Sequence, residues 1–230
     1  FPQAKVLRMD YDTTRTKDSY ERILTAFGRG EADVLVGTQM IVKGHDFPNV
    51  TLVGVLAADI SLYANDYRAA ERTFQILTQA VGRAGRGETA GEAVIQTYMP
   101  DHYSIRTAAG QDYERFYSQE ILYRNLMEYP PAYVMLGIYL SCPQEELLGK
   151  QTRSLGAYIL SLKTEGVTMV GPADAMLTKK KDIYRKVIYL KHKQSDVLTE
   201  LKEKLENMME KDPVWQKVTV QFDFNPLNAF

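Results

Sequence analysis

A single cysteine, Cys142, excludes a disulfide framework and any cysteine-built zinc site within these 230 residues. Histidine is almost as scarce. His45, His102 and His192 lie far apart with no second ligand at useful spacing, so no metal site is expected. No apolar run approaches the roughly 18 residues that span a bilayer, and no charged-then-apolar leader opens the chain. The expectation is a soluble, cytoplasmic protein with no membrane partner. Also lacking are G-x-x-x-x-G-K-[ST] and an Asp-Glu pair following a strand, the groups that cradle nucleotide phosphates and hold magnesium. The chain is therefore not expected to hydrolyse a nucleoside triphosphate alone. An excess of either charge is missing too: the formal net charge is −1, so contact with nucleic acid must come from local basic patches. Phe1-Pro2-Gln3 runs almost directly into an apolar strand without an initiator Met, which reads as an excised piece.

What is present is enough for a sizeable core. The chain is 45% hydrophobic, which at this length suits one large or two modest domains. Residues 33–37, Asp-Val-Leu-Val-Gly, form a continuous apolar run, as expected of a parallel strand covered on both faces. Thr38 and Gln39 follow at its carboxyl end, and Lys43, Gly44 and Asp46 lie just beyond. In open α/β sheets ligands bind there, so these groups gather where a phosphate or ribose can sit. A second polar cluster comes about forty residues later, from Gln79 through Gly82 and Arg83 to Arg86. Two arginines three apart, separated by glycine, suit a turn whose backbone approaches an anion while the guanidiniums grip it.

Around these stretches the pattern alternates. Residues 5–10 read as a strand. Tyr20, Ile23, Leu24 and Phe27 make one helical stripe ended by Gly28 and Gly30. Residues 50–58 form another apolar strand. A helix starting near Asp66 carries Phe74, Ile76, Leu77 and Val81, and residues 91–98 supply a further strand. This is a doubly wound parallel pattern over 1–100. Residues 101–128 read as one connecting helix, stopped by Tyr129-Pro130-Pro131. A second domain is expected over 132–230: strand 133–141, helix 144–165, strand 167–170 closed by Gly171-Pro172, strands 173–178 and 184–191 about a 179–182 turn, helix 195–211 and strand 218–224. That β-α-β-β-α-β order is a split βαβ, a ferredoxin-like layer of helices on a sheet. The nine methionines form no stripe and read as core filling.

Thr38-Gln39 with Lys43-Gly44-His45-Asp46 resembles motif V of superfamily 2 helicases, and Gln79 to Arg86 resembles their motif VI. The fuller wording, Gly37-Thr38-Gln39-Met40, Lys43 to Pro48, Gln79 to Arg86 and Tyr129-Pro130-Pro131, resembles the primosomal protein N′ (PriA) family of bacterial replication-restart DNA helicases. The resemblance covers the whole chain. It implies that 1–100 is most of a second RecA-like lobe, incomplete at its start, with 5–10 and its helix in the place of motif IV. It implies that Arg83 and Arg86 are catalytic, reaching the triphosphate on a partner lobe. Gly44 and Asp46 would approach the nucleotide, together with Gln79 and Gly82, and Thr38 would touch a nucleic-acid phosphate; Lys43 suits either. Gln79 stands where related helicases commonly have His, which leaves its sensing role open. ATP and magnesium would sit mostly on the other lobe, and the family's zinc-binding cysteines upstream. The implied partners are forked and single-stranded DNA, single-strand binding protein, other primosome proteins and the loader of the replicative helicase.

In the second domain Lys179, Lys180, Lys181, Arg185 and Lys186 surround Tyr184. Lys180, Arg185 and Lys186 combine backbone-neutralising charge with a stacking ring at Tyr184, as single-strand binders do. The same run also suits a solvated turn or a receptor for an acidic peptide tail. A non-catalytic docking module, or a different superfamily 2 translocase acting on DNA or RNA, are the other readings.

Overall fold

A computed structural model describes residues 2–42, 47–85 and 90–227. Strand β1 (Val6–Met9) is followed by helix α1 (Lys17–Gly28) and strand β2 (Val34–Gly37), and the two strands pair in parallel with Val6 opposite Val34 and Met9 opposite Gly37. Thr16 caps α1 by accepting a hydrogen bond from the Ser19 amide at 3.3 Å, as short hydroxyl side chains do at helix starts. Strand β3 (Leu52–Val55), helix α2 (Ala69–Val81) and strand β4 (Glu92–Ile95) repeat the unit, again with parallel pairing. Helix α3 (Tyr103–Ala109) packs on α2. Ala58, Phe74, Leu77, Ile105, Ala108 and Phe116 form the core of this unit, with Phe74 stacked on Phe116 at 4.2 Å between ring centres.

Three expectations fail here. The apolar run over 50–58 does not stay extended: β3 ends at Val55, Ala57 turns left-handed at φ 50°, and Ala58–Tyr63 coil into a 3-10 turn. The cause is Asp59, whose buried carboxylate accepts Thr97 Oγ1 at 2.7 Å and the Tyr98 amide at 2.9 Å and so draws the chain back against the end of β4. The helix expected over 101–128 is two. Gly110 caps α3, Gln111 takes φ 51°, and Asp112 starts α4 (Tyr113–Leu126) by accepting the Arg115 amide at 3.0 Å. Finally, among the described residues the parallel strands are covered on one face only. Val6, Val34, Val36, Leu52 and Val94 stand between 41% and 61% exposed, while α1 and α2 lie against the strands and Met9 is buried.

The second unit is antiparallel. Strand β5 (Val134–Cys142), helix α5 (Glu145–Ser161), strand β6 (Thr168–Lys180), strand β7 (Ile183–His192), helix α6 (Ser195–Glu210) and strand β8 (Thr219–Phe224) form a four-stranded sheet in the order β6-β7-β5-β8. This is the expected split βαβ, with β5 and β7 central. Leu136, Ile138, Leu140, Ile188 and Leu190 project to one face, where Leu148, Leu155 and Ile159 of α5 and Leu198, Leu201 and Leu205 of α6 bury them almost completely. The two strands expected on either side of Gly171-Pro172 are one. β6 runs through this cis peptide with a register shift between Val170 and Ala173, and Gly171 at φ 95° meets the strand β7 backbone so closely that a Cβ would lie 2.9 Å from the Val187 carbonyl oxygen.

By contacts the chain divides into residues 1–64 with 68–117, and 65–67 with 118–230, so the division falls inside α4 rather than at the 129–131 break. Within the second unit the last turns of α4 are tied down. Arg124 Nε donates to Glu120 Oε1 at 2.6 Å and its Nη1 to the Pro130 carbonyl at 2.8 Å, all buried, and Tyr67 stacks on Tyr129 at 5.2 Å.

Candidate nucleotide and nucleic-acid sites

Strand β2 ends where backbones nearly touch. A Cβ at Gly37 would lie 2.2 Å from the Met9 carbonyl oxygen, so only glycine lets the chain pass from strand to turn there. Thr38 then stands exposed and its carbonyl accepts the Ile41 amide at 3.1 Å, opening the 3-10 turn Gln39–Val42. That turn packs against α2. The turn that opens the first polar stretch therefore touches the helix that leads into the second, although more than forty residues separate Gln39 from Arg83 along the chain. Lys43, Gly44 and Asp46 lie outside the described residues, as does Arg86.

Helix α2 delivers the second stretch. Gln79 is exposed in its last turn, and Gly82 is its C-cap, with its amide donating to the Thr78 carbonyl at 3.0 Å. Arg83 follows, half-buried, with its amide bonded to the Ala80 carbonyl at 3.0 Å. Gly85 takes φ 71° and donates to the Val50 carbonyl at 3.0 Å. Its backbone approaches that of Gly91 so closely that a Cβ on Gly91 would lie 2.0 Å from the Gly85 nitrogen. This glycine pair, which sequence reading did not single out, seats the turn after α2 on the start of β4 and so sets where Arg83 can reach. The signal was two glycines six apart, one within the cluster and one beyond it, and glycine spacing alone does not reveal which backbone they let in.

Two carboxylates near these strand ends are structural. Asp59 is held below its usual pKa by the Thr97 hydroxyl and then the Tyr98 amide. Asp10 is also held low, first by the Thr13 amide, with which it closes a tight turn after β1. Among the described residues no group of three or more His, Cys, Asp or Glu side chains is placed to hold a metal ion.

In the second unit the basic run is split by the geometry of its hairpin. Lys181 and Asp182 both have positive φ and form a two-residue turn of the kind that matches strand twist, which leaves Lys179 and Lys180 inside β6. Lys179 binds Asp182 at 3.0 Å and lies 4.8 Å from the centre of the Tyr184 ring; Asp182 first, then Tyr184, raises its pKa. Lys186 is paired with Asp174 across the β6–β7 ladder. Side chains alternate along β7, so Tyr184 packs toward the helix-covered core opposite Cys142, whereas Arg185 points to the other face opposite Ser141. Tyr184 and Arg185 therefore do not share a surface, and the single patch of three cations around a stacking ring, expected from the sequence, is not formed. On the helix-free face a cavity of about 60 Å³ is lined by Tyr139, Ser141, Arg185 and Gln221, with Leu140, Lys186 and Ala175 completing it.

Residues 3–88 match the family profile "Helicase conserved C-terminal domain", and residues 125–227 match "Primosomal protein N C-terminal domain". Among curated proteins, "Replication restart protein PriA" of Bacillus subtilis is 42% identical over 98% of this chain, and that of Chlamydia pneumoniae 38% identical over all of it. The protein of the same name from Borreliella burgdorferi is 32% identical over 99% of the chain. The chain spans 28%, 30% and 34% of the lengths of these three relatives.

Proposed function

Because this chain belongs to the replication restart protein PriA family, we propose that it is the part of an ATP-dependent DNA helicase that supplies the second motor lobe and the domain following it. The observation that supports this reading is the glycine-shaped geometry at both stretches: Gly37 lets β2 run straight into the turn after Thr38, and Gly82 and Gly85 shape the turn after α2 that carries Arg83. Arg83, with Arg86, serves a triphosphate held by another lobe. A permanently charged, forked guanidinium offsets negative charge developing on the transferred phosphoryl oxygens. Gln79, Gly82, Gly44 and Asp46 complete the nucleotide-facing edge, and Thr38 and Lys43 approach the nucleic-acid backbone. The purine, phosphate and magnesium ligands belong to the remaining polypeptide of the longer family members, as do the zinc-binding cysteines.

The proposed role is restart of DNA replication at stalled or recombined forks, in the bacterial cytoplasm, with single-strand binding protein, other primosome proteins and the helicase loader as partners. The second unit contacts single-stranded DNA through β7 and its hairpin, Arg185 from the helix-free face and Lys180 from the hairpin end, whereas Lys186 lies on the opposite face from Arg185 and is engaged by Asp174. Tyr184 supports this strand from the core side.

The test uses a full-length family member carrying this segment. Arg83→Ala is expected to lower kcat by about 10³-fold, as loss of an arginine finger does, with DNA affinity nearly unchanged. The 230-residue chain alone is expected to release no phosphate from ATP. Intact turnover with weakened DNA binding would instead make the first unit a non-catalytic docking scaffold.

A further inference from the structure

We propose that the cavity on the helix-free face of the second unit's sheet is a subsite for one phosphodiester group of single-stranded nucleic acid, with Arg185 as its charged ligand and Ser141 and Gln221 as its neutral ones. The inference rests on the DNA-binding reading above and narrows it to named atoms. Cross-strand register puts Ser141 directly opposite Arg185, and Tyr139 directly opposite Gln221. These side chains belong to the alternate set from Ile138, Leu140 and Ile188, which the helices cover, so three strands present them to one side. The cavity, about 60 Å³ and open to solvent on one side, has room for a compact anionic group at the sheet surface.

The chemistry of the lining favours that ligand. An arginine fork grips two oxygens of a phosphate, and the serine hydroxyl and glutamine amide can donate to others. A planar carboxylate would be satisfied by the fork alone. Tyr139 supplies an apolar wall. Its ring lies across Gly137 so closely that a Cβ there would meet ring atoms at 2.9 Å, and the side chain is 6% exposed. Keeping water from one side of the site strengthens a charge-assisted contact. A base need not enter; the strand would pass over the sheet with its backbone dipping into the cavity.

The test is binding of a fluorescein-labelled oligothymidylate to the 230-residue chain across a salt series, with thermal melting to confirm folding. Arg185→Ala is expected to weaken binding about ten-fold and to make the slope of log affinity against log salt shallower by about 0.7, the value for one neutralised single-strand phosphate. Arg185→Lys should keep the slope while losing part of the affinity. Ser141→Leu, which fills the cavity and leaves every charge in place, should weaken binding as Arg185→Ala does, and Gln221→Leu serves if that variant melts early. If the chain binds oligothymidylate but Arg185→Ala and the cavity-filling variant match it, the subsite is wrong and the DNA reading stands. If the unaltered chain shows no binding, both fall. If an acidic peptide displaces the oligothymidylate and only the peptide responds to Arg185→Ala, the cavity takes a carboxylate and the proposal is overturned.

Discussion

The two units are built from similar numbers of strands and helices but hold together differently. In the second, fourteen buried side chains form one contiguous core under a four-stranded sheet. In the first, among the described residues, four strands pair two by two and the buried cluster has six members, while Val6, Val34, Val36, Leu52 and Val94 on the outer strand face are left in solvent. The proposed nucleotide-facing residues Arg83 and Thr38 therefore belong to the less consolidated unit, and the consolidated unit carries the small cavity. Elements that must move with a ligand come from the less stable part of a fold.

The sharpest way to break this contrast is to remove an equivalent core side chain from each unit. Phe74→Ala deletes the ring stacked on Phe116 and is expected to cost about 3–5 kcal/mol, enough to unfold a unit with so small a core. Hydrogen exchange should show 1–64 and 68–117 losing protection while β5, β7 and α6 keep theirs. Leu155→Ala in α5 should cost about 2–5 kcal/mol, but the second unit should remain folded at room temperature with a lowered melting midpoint. Equal loss of protection in the two units would erase the distinction.

Smaller effects sharpen it. Asp59 titrates below its usual range in the folded chain, so its contribution is present above the unfolded carboxylate value of roughly 3.9 and disappears as pH falls through the folded pKa. Asp59→Asn should therefore flatten the acid limb of first-unit stability and leave that of the second unit unchanged, as read by unit-resolved exchange. Least of all, Val36→Ser on the outward face should change the stability of this chain by no more than about 0.5 kcal/mol. A larger loss would mean that this face is covered in solution.

Much of the order was legible from local pattern. The stripe of Tyr20, Ile23, Leu24 and Phe27 lies on α1, and the β-α-β-β-α-β rhythm after Pro131 lies on the split βαβ. The helix break at Gly110 and Gln111 was less visible, because aromatic and charged residues continue through it without a change of period. The early end of β3 was hidden for another reason: its cause, Asp59, acts through Thr97 and Tyr98 almost forty residues away.

By itself the sequence determined which residues are chemically able to act. Glycine spacing, paired arginines and the threonine after an apolar strand mark Thr38, Gln79, Gly82 and Arg83 whatever the fold does with them, because those properties belong to side chains and short backbone segments. Which of them meet was decided only by tertiary structure. α2 against the Gln39–Val42 turn, Gly85 against Gly91, and Arg185 with Ser141 and Gln221 rather than with Tyr184 are all juxtapositions across strands or helices. They follow from packing and register, in which a shift of one residue along a strand moves a side chain to the opposite face.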